Sequence, residues 1–344
     1  MTPERERLAS RVALLEARAA LNCALRAFFV EHDFLEIEAP LLVPSPGLEL
    51  HLDAFSVGNA PPALAWLITS PEYQMKRLLA AGLPRIYSLG KVFRRGEAGR
   101  HHNPEFTMLE WYRAGAGWEA IADDVEALVR AAARAMAARG ALRLPPGLSL
   151  DEKWERLSVR DAVARHAGVD LAGDEPVEAL AAKCRAAGHR VPGVVDGRAP
   201  AWDDVFFTMF LDAVEPALGR GTRPIVLHDW PRPLAALARE KPGDPRVVER
   251  FEVYLPSGSG EVMELCNAFG ELVDPVEQRR RLEADLAERR RRGLPEYPID
   301  ERFLAALAEM PPSAGIALGV DRLAMLLLGA PTIRDVLPFA ADEL

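Results

Sequence analysis

What most constrains the fold of this chain is a pair of strand-like runs, residues 85–93 and 106–111, separated only by the charged stretch RRGEAGRHHNPE at 94–105. Runs so close in sequence pair as a hairpin, and a connection this long and this charged on a rigid sheet is where function concentrates. Strand patterns recur at 34–40, where Leu35, Ile37 and Ala39 alternate with Glu36 and Glu38, and at 65–69, 224–228, 251–255, 261–271 and 315–320. They do not alternate regularly with helices. The spacing therefore predicts an α+β fold, a mainly antiparallel β-sheet flanked by helices, and not a doubly wound dinucleotide fold.

Helical periodicity is expected over 8–29, from about 71 through Met75, Leu78 and Leu79, and over 118–143, 276–292 and 321–328. Residues 151–219 read as mostly helical and carry no motif. In 276–292 arginines follow acids at i,i+4 (Glu277 with Arg281, Asp285 with Arg289, Glu288 with Arg292), the pattern of a solvated face. The Gly-rich run at 256–260 lies between two strand patterns and lacks the Lys-Ser/Thr ending of a phosphate loop, so it reads as a hairpin turn.

At 344 residues, 49% hydrophobic and 27% charged, the chain has enough apolar material for one large domain or two. Lys and Arg total 42 against 51 Asp and Glu, a net charge of -9 that repels phosphate backbones and anionic lipid and suits a basic protein partner. Cys23, Cys184 and Cys266 are too scattered for a disulfide framework or a CxxC metal pair, which is the usage of a reducing compartment. With no apolar leader and no apolar run of about 20 residues, the expectation is a cytoplasmic protein without a membrane span.

Three islands carry candidate chemistry. In the hairpin connection Arg94, Arg95, Arg100, His101 and His102 crowd together at a density suited to a triphosphate, with Phe106 available to face a base or to join the core. In EVMELCNAFGEL, Asn267, Phe269 and Glu271 share a strand face, while Glu264 joins them only across a bulge or twist; two acids and an amide suit Mg²⁺ with phosphate, or an ammonium ligand. In GIALGVDRLAMLLLG, Gly315, Ala317 and Gly319 let a ligand approach the backbone, and Arg322, set in a helix first turn against the dipole, suggests a partner anion.

At these residues the chain resembles a known family. FLEIEAP, FRRGEAGRHHNPEFTMLEWY and GIALGVDR are similar to motifs 1, 2 and 3 of class II aminoacyl-tRNA synthetases, at about 28–47, 85–113 and 315–328, and MELCNAFGEL and RGLPEYPID are similar to the lysyl branch. The likeness runs over about 28–339 and implies a single class II synthetase-like catalytic domain across residues 1–344. Lysyl synthetases carry an anticodon-binding OB domain ahead of motif 1. Here motif 1 begins by residue 28, so no such domain is expected. SPEYQMKRLL, GRHHNPEFTMLEWYR, ERFEVY and GIALGVDRL resemble instead truncated paralogues of lysyl synthetases that lysylate elongation factor P, as do Ser70 and Ala317, where lysyl synthetases usually have Ala and Gly.

The resemblance implies an ATP-dependent, AMP-forming ligase that activates lysine or β-lysine as an adenylate and transfers it to a lysine side chain of elongation factor P, with no tRNA substrate and a homodimer formed through motif 1. Arg94 would hold the α-phosphate, and Phe106 with Arg322 would sandwich the adenine. Arg94 and Arg322 would be the catalytic pair, while Arg95, Gly96, Glu97, His102, Asn103, Glu264, Leu265 and Gly319 would complete the ATP site. Glu264 and Glu271 would hold Mg²⁺. Ser70, Pro71, Glu72, Glu110, Tyr112, Asn267, Phe269, Glu271 and Ala317 would line the amino-acid pocket. Two departures stand out: Gly96 replaces an acid of the family, leaving Glu97 to substitute or that adenine contact absent, and Cys266 replaces an alanine and reads as a small packed residue. Two other readings stay open, a minimal synthetase charging tRNA or a small molecule, and a catalytically silent synthetase-like regulatory subunit. Retention of Arg94, Glu264, Glu271 and Arg322 together speaks against the silent one.

Overall fold

The computed structural model describes residues 2–58, 65–194, 198–256 and 261–344. Along the chain come α1 (Pro3–Glu31), β1 (Leu35–Glu36), β2 (Leu42–Val43), β3 (Trp66–Leu67), α2 (Glu72–Ala80), β4 (Arg85–Phe93), β5 (Glu105–Ala114) and α3 (Trp118–Ala138). There follow β6 (Glu155–Ser158), α4 (Val159–Ala167), α5 (Val177–Ala186), α6 (Trp202–Met209), a π turn (Phe210–Val214), α7 (Glu215–Leu218), β7 (Ile225–Pro231), β8 (Glu240–Lys241), β9 (Asp244–Pro256) and β10 (Val262–Gly270). The last elements used below are α8 (Pro275–Arg291), α9 (Glu301–Leu307), β11 (Ser313–Gly319) and α10 (Val320–Leu328). Contacts gather into two compact units, residues 1–144 with 273–344, and residues 145–272.

In the first unit the strands run β1-β4-β5-β11, with β1 parallel to β4 and the other pairs antiparallel. Directly opposed residues share a face, so the register builds cross-strand rows: Ser88, Glu110 and Ala317, then Gly90, Met108 and Gly319. The opposite face carries Tyr87, Leu109 and Trp111 beneath α1, where Phe29 stacks on Tyr87 with centroids 4.3 Å apart and meets Trp111 edge-on at 5.4 Å. Each such buried aromatic contributes about 1.5–3 kcal/mol, which fixes the register and hence which residues face the other way. Of the expected strand at 34–40 only β1 pairs, continued by one bond from the Ile37 N–H to the Tyr87 carbonyl (2.7 Å), because this end of the run has one neighbour. Helix α2 is fixed by Tyr73, stacked at 4.0 Å on Phe303 of α9.

The second unit runs β10-β9-β7-β6, with β8 folded back on β9 and β6 parallel to β7, around a core containing Phe206, Phe210, Leu227 and Trp230. The mostly helical expectation for 151–219 holds for α4 to α7, but Glu155–Ser158 pairs as β6; its sequence ERLS is too short to show a period. Of the hairpin turn expected at 256–260, residues 257–260 lie outside the described residues.

The arginines of α8 divide. Arg281 donates to Glu277 (2.8 Å) and Arg292 to Glu288 (2.6 Å) as their spacing predicts. Arg289 does not join Asp285 on a solvated face. It is fully buried, donating to the carbonyls of Glu49 (2.9 Å), Leu52 (3.0 Å) and Pro295 (2.7 Å) and to Asp53 Oδ1 (2.6 Å), its guanidinium 4.7 Å from the Tyr297 ring centroid. A guanidinium can leave water when its donors are saturated, and here they secure the 49–53 segment to α8.

Candidate functional site

The first unit assembles a carboxylate pocket. Ser70 Oγ, one residue before the Pro71 cap of α2, donates to Glu110 Oε2 (2.8 Å) and accepts the Glu72 N–H (3.1 Å). Tyr112, on the same face of β5, donates its hydroxyl to Glu110 Oε1 (2.5 Å). Glu110 is 1% exposed, and burial pushes its carboxyl up to about 8, the neighbouring Glu72 adding to the rise. Glu72 is itself buried and paired with Lys76 one turn along α2, whose ammonium lies 6.0 Å from the Phe303 ring centroid. Ala317 stands directly across from Glu110 on β11, packed with Phe106 against Val43, Ile68, Val92 and Met108. Glu49, whose carboxyl is pushed up to about 7 by burial with Glu72 adding to the rise, interacts with the same group, so three carboxyls gather around Lys76, a surplus that favours a cationic ligand.

Beside it lies the charged connection. The Arg94 guanidinium sits 5.2 Å from the Phe106 ring centroid, its Nε donating to the Thr69 carbonyl (3.4 Å) and its Nη1 3.6 Å from Glu97. Gly96 has φ +84°, a left-handed conformation that an acid would adopt only with strain. Arg95 donates through Nη2 to Asp53 Oδ2 (3.2 Å) and through its N–H to the Asp53 carbonyl (2.7 Å), so one aspartate ties this loop to Arg289. Arg322, in the first turn of α10, reaches His102 Nε2 at 2.6 Å and the His101 carbonyl at 3.5 Å. Asn103 spends its amide on the backbone, donating to the Glu105 carbonyl (2.6 Å) and accepting the Ala341 N–H (3.0 Å). Gly319 caps α10, and a Cβ there would meet only Arg322 side-chain atoms at ordinary distances, while over Gly90 in the same row there is open space. Arg94 and Arg322 thus flank a loop suited to a polyphosphate.

The second unit presents the other set. β10 slips by one residue between Glu264 and Cys266, so Leu265 forms a bulge and Glu264 opposes Tyr254 while Asn267 opposes Glu252 and Phe269 opposes Arg250. Because Arg250, Glu252 and Tyr254 alternate along β9, the slip puts Glu264 on the same face as Asn267 and Phe269, as their odd spacing required. Glu271, 1% exposed, bridges Ala238 at the end of the strand. A side chain on Gly270 would run into Glu249, whose Oε2 lies 2.2 Å from the Cβ position, so this glycine admits a close approach. Among the described residues no group of three or more His, Cys, Asp or Glu could hold a metal ion by itself. The carboxylates of Glu264 and Glu271 are of the donor type that a magnesium ion takes. Cys266 is buried and burial pushes its thiol well up, so it is a packed, protonated residue.

Sequence reasoning missed Asp53, Lys76, Arg250 and Arg289. Lys76 carried a readable signal, since it follows Glu72 by four residues in a helix. Arg289 and Asp53 are separated by 236 residues, and no local period reports such a contact.

The profile of the family described as tRNA synthetases class II (D, K and N) matches residues 6–343. The chain belongs to this family of class II tRNA synthetases. Among its relatives, a protein of Yersinia enterocolitica is 40% identical over 336 residues, 95% of each chain. One of Erwinia tasmaniensis is 40% identical over 339 residues, 96% of each. One of Vibrio cholerae is 39% identical over 334 residues, 95% of each. All three are named elongation factor P--(R)-beta-lysine ligase. The class II synthetase match takes in the hairpin connection, the β10 acids and the β11–α10 segment described above. No described helix is long and apolar enough to cross a membrane.

Proposed function

We propose that this chain is a cytoplasmic ligase that activates lysine or β-lysine with ATP and hands the acyl group to a lysine side chain of elongation factor P. The observation that carries this reading is Glu110, a buried carboxyl whose two oxygens are taken by hydroxyls of Ser70 and Tyr112, in a chain 40% identical to ligases of that name over 95% of both lengths. Such a group recognises an ammonium ion.

In the first step the substrate carboxylate attacks the α-phosphate of ATP in line, and pyrophosphate leaves. Negative charge grows on the phosphate oxygens, which Arg94 neutralises, with Arg322 closing the loop edge at His102. Lys76 holds the Glu72 carboxylate in place while Glu72 and Glu110 take the substrate amines. Glu264 and Glu271 would hold a magnesium ion, which would supply further charge neutralisation. In the second step the lysine amine of the protein acceptor attacks the acyl carbon, AMP leaves, and an amide is formed. An acidic chain suits a cationic acceptor loop.

We further infer a homodimer paired through the motif 1 segment, where Val30, Leu35, Leu41 and Leu42 stand exposed together beside the edge strand β1.

The test incubates the purified protein with ATP and each lysine isomer, reading pyrophosphate exchange, and then adds either elongation factor P or tRNA with labelled amino acid. Exchange with a lysine isomer and label on elongation factor P are expected, with tRNA at background. Efficient tRNA charging, or no exchange with any isomer, would sink the proposal.

A further inference from the structure

Beside Glu264, Asn267 and Phe269, on the same face of the sheet, the opposed residues of β9 form a linked chain. Tyr254 donates its hydroxyl to Glu252 Oε2 (2.6 Å), and Arg250 donates from Nη2 to Glu252 Oε1 (2.6 Å). Its Nη1 is held by the Leu234 carbonyl (2.7 Å), and its plane lies 4.6 Å from the Trp230 ring centroid and 5.9 Å from that of Phe269. Nε then donates to Asn267 Oδ1 (3.2 Å). Three separate directions are therefore fixed on one planar fork.

The consequence lies in Asn267. A guanidinium has no acceptor, so the atom it meets is the carbonyl oxygen of the amide, and the amide NH₂ must point the other way. Among the described residues Nδ2 meets no protein acceptor. Arg250 thus presents Asn267 to a ligand as a donor and sets the ring of Phe269 beside it. Neither effect needs Arg250 to touch the ligand.

We propose that Arg250 is a positioning residue for amino-acid recognition, acting through Asn267 and Phe269. The claim deepens the proposed function, resting on it for the identity of the ligand. The variants are Arg250→Met, Arg250→Met with Glu252→Gln so that no buried acid loses its partner, and Arg250→Lys, which keeps the charge without the fork. Thermal melting identifies those that fold, and crystal structures of these show the first effect: the Asn267 side chain moved from its place beside Arg250 and the Phe269 ring displaced. Both unmoved overturns the proposal.

In pyrophosphate exchange, the KM for the amino acid should rise roughly 10-fold to 100-fold with Arg250→Met while the KM for ATP changes by less than about 2-fold, as expected for a lost charged hydrogen bond on one substrate's side. Arg250→Lys should fall between. In an Asn267→Ala background the same substitution should add less than about 3-fold, because its effect passes through the missing amide. Additive losses, or equal rises in both KM values, overturn the claim. A wild type that exchanges with no lysine isomer removes the functional reading, and the crystallographic comparison still decides Arg250.

Discussion

A carboxylic acid such as Glu110, 1% exposed and beside Glu72, is driven toward its neutral form by burial, against the pull of the two hydroxyls that donate to it. Its carboxyl is raised from 4.5 to about 8, so the contribution of the protonated form to stability is complete below 4.5 and is lost as pH rises through 8. The unliganded protein should melt at falling temperature across that window, and Glu110→Gln should flatten the fall. Binding an ammonium reverses the preference and expels the Glu110 proton. Amino-acid affinity should therefore climb with pH below 8, by up to about 10-fold per unit. Calorimetry in buffers of different ionisation enthalpy reads the released proton directly; binding at pH 7 with no proton released would contradict this.

At the scale of the strand, β11 sets the small residues Gly315, Ala317 and Gly319 on one face, and the single methyl of Ala317 stands across from Glu110. Under the proposed function that methyl would take room that the amine of α-lysine needs, whereas a β-amino acid carries its amine one carbon further along. Ala317→Gly should shift kcat/KM toward α-lysine by about 10-fold to 200-fold, the reach of one methyl group. The added backbone freedom costs only about 0.5–1 kcal/mol. An unchanged ratio between the two lysines would remove Ala317 from amino-acid choice. Much of this was legible in the chain. The β4 bounds, the charged connection and the need for a bulge ahead of Asn267 all follow from period-2 patterns, and the bulge falls at Leu265. What was not legible is what no period encodes: β6 is too short, and Arg289 reaches Asp53 only after the chain has folded back. Asn103 shows the same limit from the other side, a residue readable as part of a loop whose amide is taken up by Ala341 far along the chain.

For the whole molecule, a net charge of -9 should keep single copies apart, so any pairing must come from local apolar surface. Leu35 and Leu41, 52% and 43% exposed, are the residues to change. Leu35→Glu with Leu41→Glu should halve the mass seen by light scattering, leaving the fold intact because neither side chain is buried. An unchanged mass would place the pairing surface elsewhere or remove it. Within the first unit, the charged connection is also anchored from far along the chain. Arg100 is held by Pro331 and Ile333, Asn103 by Ala341, and Glu343 by ion pairs with Arg7 and Arg11 of α1. Synthesis proceeds at about 5–20 residues per second, so the 238 residues between Asn103 and Ala341 delay these anchors by roughly 10–50 s. A nascent chain can complete its β4–β5 hairpin early, yet the charged connection between the two strands stays without these moorings until residues 331–343 have been made.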